Sequence, residues 1–235
     1  MANDQDLAKR AAAARALNYV EEGMKLGLGT GTTAEVFLET LAPRVRNGFK
    51  LLCVPTSERT ATKARQLGFS LASLDDLAPL DLTVDGADEA DRELNLIKGA
   101  GGALLREKIV AASSKRMIVI ADESKLVARL GKFPLSIEVL EFGHKTTVAR
   151  IAAAAASLGY GNVPITLRTK DGAAFKSDSS NLIYDCAFGA ITSAAKLAAA
   201  LSAIPGLVEH GLFVGMASTL VIANPGEVEV IERAQ

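Results

Sequence analysis

Short, largely apolar runs recur along the first part of this chain, each closed by a glycine, a proline or an acidic turn, and each followed by a segment of helical periodicity. The runs are Met24 to Leu28, Phe49 to Val54, Leu80 to Val84 and Met117 to Ile120. They are too short for buried helices, and near-continuous apolarity is what a strand needs when helices cover both faces of its sheet. Between them, Asp6 to Glu22, Thr33 to Arg46, Glu58 to Leu67 and Gly102 to Ser113 repeat apolar residues at helical spacing. The alternation predicts an α/β fold, a doubly wound Rossmann-like parallel sheet, with Leu94 to Ile97 as a further buried parallel strand.

From about Pro134 the rhythm changes. Strand Leu135 to Leu140, helix Thr146 to Leu158, strands Pro164 to Thr169 and Asn181 to Phe188, helix Ser193 to Ile204 and strand Leu207 to Phe213 read as β-α-β-β-α-β. That is the split ferredoxin-like arrangement, with hairpin chemistry at Lys170-Asp171-Gly172. Residues 1–132 are therefore expected to form the Rossmann-like catalytic domain and 133–213 an inserted ferredoxin-like α+β subdomain. Residues 214–235, with a strand pair between Leu220 and Ile231, return to the first sheet.

Composition narrows what such a fold can do. With a formal net charge of -1 spread over 235 residues, there is no polycationic face to grip a nucleic-acid backbone. Met1 to Arg10 carry Asp4 and Asp6 and no apolar core, and no run is long enough to span a bilayer, so a cytoplasmic enzyme without membrane contact is expected. Cys53 and Cys186 lie far apart in apolar runs and read as buried thiols. His144 and His210 are the only histidines, and no ligand spacing occurs. Catalysis is left to carboxylates, lysines, hydroxyls and backbone amides, with no metal and no cofactor.

In open α/β sheets ligands bind beyond the carboxyl ends of the strands, which directs attention to four loops. Gly27-Leu28-Gly29-Thr30-Gly31-Thr32-Thr33 joins a strand to a helix, where free N–H groups and the helix dipole favour an anion. The acidic residue that a dinucleotide site needs after the next strand is missing, since that strand ends Val54-Pro55-Thr56; the phosphate of a small ester fits better. Asp85-Gly86-Ala87-Asp88-Glu89 brings carboxylates to the same edge, suited to sugar hydroxyls and to opening a cyclic sugar. Lys98-Gly99-Ala100-Gly101-Gly102 opens the helix on which Glu107 shares a face with Ala103, Val110 and Ala111. Ala121-Asp122-Glu123-Ser124-Lys125 aims Lys125 at that edge.

Converting an aldose to a ketose requires one base and one cation near the enediolate oxygen. Glu107, partly desolvated, would have its pKa lifted from about 4.3 toward about 6 to 7, which suits a proton shuttle near neutral pH. Lys98 would face the developing negative charge.

With these loops in order and at this spacing, the chain closely resembles the ribose-5-phosphate isomerase A family, over nearly its whole length. The resemblance implies reversible isomerisation of ribose 5-phosphate and ribulose 5-phosphate in the pentose phosphate pathway, without metal or nucleotide, in a homodimer or dimer of dimers. It implies Glu107 as the proton acceptor, with Asp85 and Lys98 beside it in the catalytic set. It further implies substrate contacts from Thr30, Gly31, Thr32 and Thr33 at the phosphate end, and from Asp85, Gly86, Ala87, Asp88, Lys98, Gly99, Ala100 and Gly101 along the sugar. Lys125 completes the pocket, and Lys9 is the candidate for an N-terminal lysine near the phosphate. Ala100 and Ser180 depart from the family pattern, which more often has glycine there. The rival readings are a non-catalytic sugar-phosphate sensor domain, for which no helix-turn-helix segment precedes Met24, and a related-fold deaminase or coenzyme A transferase.

Overall fold

Alanine lets the first helix lie close against the sheet. In the computed structural model, which describes residues 4–233, helix α1 (Asp4–Ala16) buries Ala8, Ala12, Ala13 and Ala16. A short 3-10 turn, Leu17–Tyr19, ends it before the expected Glu22. The chain then runs through β1 (Lys25–Leu28), α2 (Thr32–Arg46), β2 (Leu52–Pro55), α3 (Glu58–Leu67), the short α4 (Leu74–Leu77) and β3 (Leu82–Asp85). Two short strands follow, β4 (Glu89–Ala90) and β5 (Leu96–Ile97), then α5 (Leu104–Ala112) and β6 (Met117–Asp122). Ser57 caps α3 by accepting from the Thr60 N–H, and Gly68 closes it in the left-handed conformation, the cap pair such a helix wants.

The remainder comprises β7 (Leu135–Val139), α6 (His144–Ser157), β8 (Ile165–Leu167), β9 (Thr169–Lys170), β10 (Ala173–Ala174), β11 (Leu182–Cys186) and α7 (Ala194–Ser202). It closes with β12 (Leu207–His210), β13 (Leu212–Phe213), β14 (Thr219–Ala223) and β15 (Val228–Glu232). The six-stranded sheet has the order β15-β14-β6-β3-β1-β2. Its pairs are parallel except for β15, which joins β14 antiparallel at the edge. The order reverses between β1 and β3, the switch point where a doubly wound sheet opens a crevice.

One face of this sheet packs under α1 and α2 around Leu26, Leu28, Phe37 and Ile118, and the other around Leu96, Met117, Val119 and Phe213. Full burial of a side chain such as Phe37 contributes about 1.5 to 3 kcal/mol. A second sheet, of order β12-β7-β11-β8, is antiparallel throughout. It has the ferredoxin-like strand order and its own core, with Ile137, Ile151, Leu197 and Leu201 fully buried.

Two strand expectations are corrected. Leu94 to Ile97 does not join the parallel sheet: only Leu96–Ile97 is strand, and it pairs antiparallel with both β13 and β4 in a separate three-stranded sheet. Leu207 to Phe213 is not one strand, because the chain changes sheets at Gly211. A Cβ at Gly211 would sit 2.0 Å from the Lys98 carbonyl oxygen, so the crossing point is closed to any side chain. The Asp171-Gly172 turn does form a hairpin, with φ of 53° and 80°, in the small β9–β10 ribbon.

Candidate active site

The loops after β1 and β3 meet at the switch point, and a backbone contact decides their spacing. A Cβ at Gly29 would fall 2.1 Å from Asp85 Oδ1, so glycine is what allows that carboxylate to lie against the first loop. Asp85 Oδ1 accepts from the N–H groups of Gly86 (2.8 Å) and Thr30 (3.1 Å). Its other oxygen lies 3.0 Å from Lys98 Nζ. The ammonium also donates to the Gly86 carbonyl at 2.6 Å and lies 3.2 Å from Glu107 Oε1. All three donors of Lys98 thus face protein oxygens, two of them on carboxylates.

Each member of this trio is more than nine-tenths buried, so its electrostatics are set by desolvation and by mutual charge. Burial pushes the Glu107 carboxyl up; Lys98 opposes this and the negative Asp85 adds to it, leaving Glu107 at about 8. Burial likewise raises Asp85, against the pull of Lys98 and of the Gly86 and Thr30 N–H groups. For Lys98, burial favours the neutral amine, but Asp85, Glu107 and Asp88 together more than reverse that and hold it as a cation. A carboxyl that exchanges its proton near neutral pH beside a permanent cation is equipped for acid–base work.

Above the trio opens a cleft of about 270 Å³, a size suited to a small ester. The structure brings to it Lys9, Thr30, Gly31, Thr32, Thr33, Gly86, Ala87, Asp88, Lys98, Gly99, Ala100, Gly101, Glu107 and Lys125. Asp85 is not among the lining residues; with no exposed surface it sits beneath them and holds Lys98. The first turn of α2, capped by Gly31, faces the cleft with Thr32 and Thr33, which supplies unpaired N–H groups and a dipole for an anion. Ala100 donates its N–H to Asp88 Oδ2 at 2.9 Å, and it is not among the residues with positive φ, so alanine is accommodated at that position without strain.

Two lining residues were missed. Arg59 reaches the cleft from the start of α3, with Nε 2.7 Å from Glu35 Oε1. Gln5 reaches it from α1 and donates to Asp122 Oδ2. The signal for Arg59 was available: Thr56 to Thr60 also follows the carboxyl end of a parallel strand, and its hydroxyls cluster on Thr30 Oγ1, with Thr56 at 2.7 Å and Ser57 at 2.8 Å. Gln5 carries no such signal, because its position depends on how α1 crosses the sheet.

A doubly wound sheet with a buried carboxylate–ammonium–carboxylate trio beneath an anion-receptive cleft defines an enzyme of acid–base chemistry on small anionic substrates. The particular kind emerges from its likeness to known proteins. Residues 52–227 match the family model for ribose 5-phosphate isomerase A (phosphoriboisomerase A). The chain is 56% identical to the ribose-5-phosphate isomerase A of Nitrobacter hamburgensis, over 97% of its own length and 98% of the relative's. It superposes on ribose 5-phosphate isomerase from Plasmodium falciparum with a TM-score of 0.91 and 36% identity, covering 97% of this chain and 99% of that one. A D-ribose-5-phosphate isomerase in complex with phospho-erythronic acid matches with a TM-score of 0.90 and 34% identity, over 98% and 100% of the two chains. The chain belongs to the ribose 5-phosphate isomerase A family.

Proposed function

We propose that this protein is a ribose-5-phosphate isomerase that interconverts ribose 5-phosphate and ribulose 5-phosphate through an enediolate, with Glu107 carrying the proton between the first two carbons. The observation that carries the reading is the Glu107–Lys98–Asp85 trio at the floor of the cleft. Ionised Glu107 takes the proton from C2 of the open-chain aldose and returns it to C1, so no net proton is consumed. As the enediolate forms, the charge leaving Glu107 appears on the substrate oxygens. Lys98 Nζ is then released from one of its carboxylates and can donate to them. Asp85 keeps the ammonium in place, and Asp88, on the cleft wall, accepts from sugar hydroxyls.

The phosphate is assigned to the α2 N-terminus with Thr30, Gly31, Thr32 and Thr33, and Lys9 and Lys125 supply positive charge at the rim. Arg59 joins that group in this reading. The related structure with phospho-erythronic acid, a phosphorylated sugar acid, supports a cleft for a phosphate at one end and an anionic oxygen at the other. We further assign 1–132 with 214–235 to the catalytic domain and 133–213 to the insertion, supported by Leu212 packing in the core of the second sheet and Phe213 in that of the first. Among the described residues no helix is long and apolar enough to cross a membrane. A cytoplasmic homodimer or dimer of dimers is the assembly proposed from the family.

The test is the Glu107→Gln variant assayed in heavy water. The amide keeps the shape but cannot accept a proton, so turnover of ribose 5-phosphate drops by at least about a hundredfold and solvent deuterium no longer enters the sugar. Near wild-type exchange in that variant overturns the assignment.

A further inference from the structure

Arg168 belongs to the inserted subdomain, at the junction of β8 and β9, yet its guanidinium reaches into the catalytic loop. Nη1 donates to the carbonyl oxygens of Gly99 at 2.8 Å and Ala100 at 3.1 Å. The rest of the fork is fixed from behind: Nε donates to Asp185 Oδ2 at 2.9 Å, Nη2 to Ser136 Oγ at 2.7 Å, and Ser136 Oγ donates to Asp185 Oδ1 at 3.0 Å. The backbone of Arg168 is held as well, its N–H on the Ile183 carbonyl and its own carbonyl accepting from Phe175. The approach is close enough that a Cβ on Gly99 would meet Ser136 Cβ at 2.7 Å.

A trans peptide points its C=O and the following N–H in opposite directions. The two carbonyls on Arg168 therefore turn the N–H groups of Ala100 and Gly101 away from it. The Ala100 N–H goes to Asp88, a residue of the cleft wall. The Gly101 N–H has no acceptor among the described residues, and Gly101 lines the same cleft. A preorganised amide donor at the mouth of the helix bearing the base is the kind of group that stabilises a developing oxyanion.

We propose that Arg168 is a positioning residue for the isomerisation: by holding the carbonyls of Gly99 and Ala100 it aims the Gly101 N–H at the enediolate oxygen. The inference rests on the isomerase reading above. It also gives the insertion a part in the chemistry, since the catalytic loop is braced by a residue that follows β8 of the second sheet.

A lysine at this position keeps the charge but cannot span two carbonyls and a carboxylate at once. Wild type, Arg168→Lys and Arg168→Ala are compared for turnover of ribose 5-phosphate and for inhibition by phospho-erythronic acid and by inorganic phosphate. The expectation for Arg168→Lys is a kcat lower by about tenfold to a hundredfold and a comparable weakening of phospho-erythronic acid, because a misaimed donor costs that order of rate. Inhibition by inorganic phosphate, held at the other end of the cleft, changes by less than about twofold. Arg168→Ala, slower still, recovers part of its rate when guanidinium ion is added. A wild-type kcat and acid affinity in Arg168→Lys would sink the proposal. So would loss of phosphate inhibition in step with the acid, which marks general collapse of the cleft. Failure of wild type to isomerise ribose 5-phosphate refutes the isomerase reading, whereas an active wild type matched by both variants refutes the role of Arg168 alone.

Discussion

Glu107 Oε1 lies 3.2 Å from Lys98 Nζ, while Oε2 has no hydrogen-bond partner among the described residues. One oxygen is tethered to the cation and the other is left for a proton. With Glu107 as the proposed base, the free enzyme is competent only when the carboxyl is ionised. With its pKa near 8, kcat/KM for ribose 5-phosphate rises with pH through a midpoint close to that value. A profile flat from pH 6 to 9 contradicts the assigned environment, and a midpoint below about 5 means that Lys98 outweighs burial.

The same displacement links stability to pH. An unfolded glutamate has a pKa near the ordinary 4.5, and Glu107 in the folded chain sits at about 8, so the native state binds this proton more tightly. Its contribution is fully present below pH 4.5 and is lost as pH rises through 8. Glu107→Gln mimics the protonated form and lacks that loss. The variant gains stability relative to wild type between pH 5 and 9, by on the order of a few kcal/mol, in paired urea melts. Parallel curves for the two proteins refute the linkage.

Asp85 raises Glu107 as well as anchoring Lys98, and the two effects separate in Asp85→Asn. Removing the Asp85 charge takes away one of the negative charges that raise Glu107 and leaves Lys98 beside it, so the midpoint of the kcat/KM profile moves to lower pH. Breaking one side of a buried ion pair costs about 3 to 5 kcal/mol. The expected variant is therefore less stable, with an acid-shifted profile, and an unmoved midpoint shows that the Asp85 charge is not felt at Glu107.

What could be read beforehand was mostly local. Glu58 to Leu67 has the same bounds in the structure as in the periodicity, because its cap and terminal glycine are written into the sequence. The loops after β1, β3 and β6 were legible from one rule about parallel strands. Leu96–Ile97 was not, because a two-residue strand carries no periodicity and its partners, Phe213 and Leu212 on one side, are more than a hundred positions away. Arg168 escaped for the same reason: nothing in its neighbourhood signals that its guanidinium ends on Gly99, 69 positions earlier. The sequence reading sets Asp85 along the sugar; instead it lies beneath the cleft, since strand alternation does not tell which acid at a strand end is covered by the next loop.

Ser180 offers a test away from the chemistry. It adopts φ of 63°, a conformation in which an L side chain costs about 1 to 2 kcal/mol and glycine almost nothing. The loop around it matters, because Ser177 Oγ and Asn181 Nδ2 both donate to the fully buried Glu138 Oε1, and the neighbouring Asp178 Oδ2 accepts from Glu58 N–H at the start of α3. Replacing Ser180 by glycine relieves the strain and removes no hydrogen bond made by the serine hydroxyl, since none is present among the described residues. Glycine's greater freedom in the unfolded chain returns part of the gain. Ser180→Gly is expected to raise the unfolding free energy by about 0.5 to 1 kcal/mol with kcat unchanged, measured by urea denaturation beside the isomerase assay. A destabilised Ser180→Gly means the serine conformation is not strained in this loop.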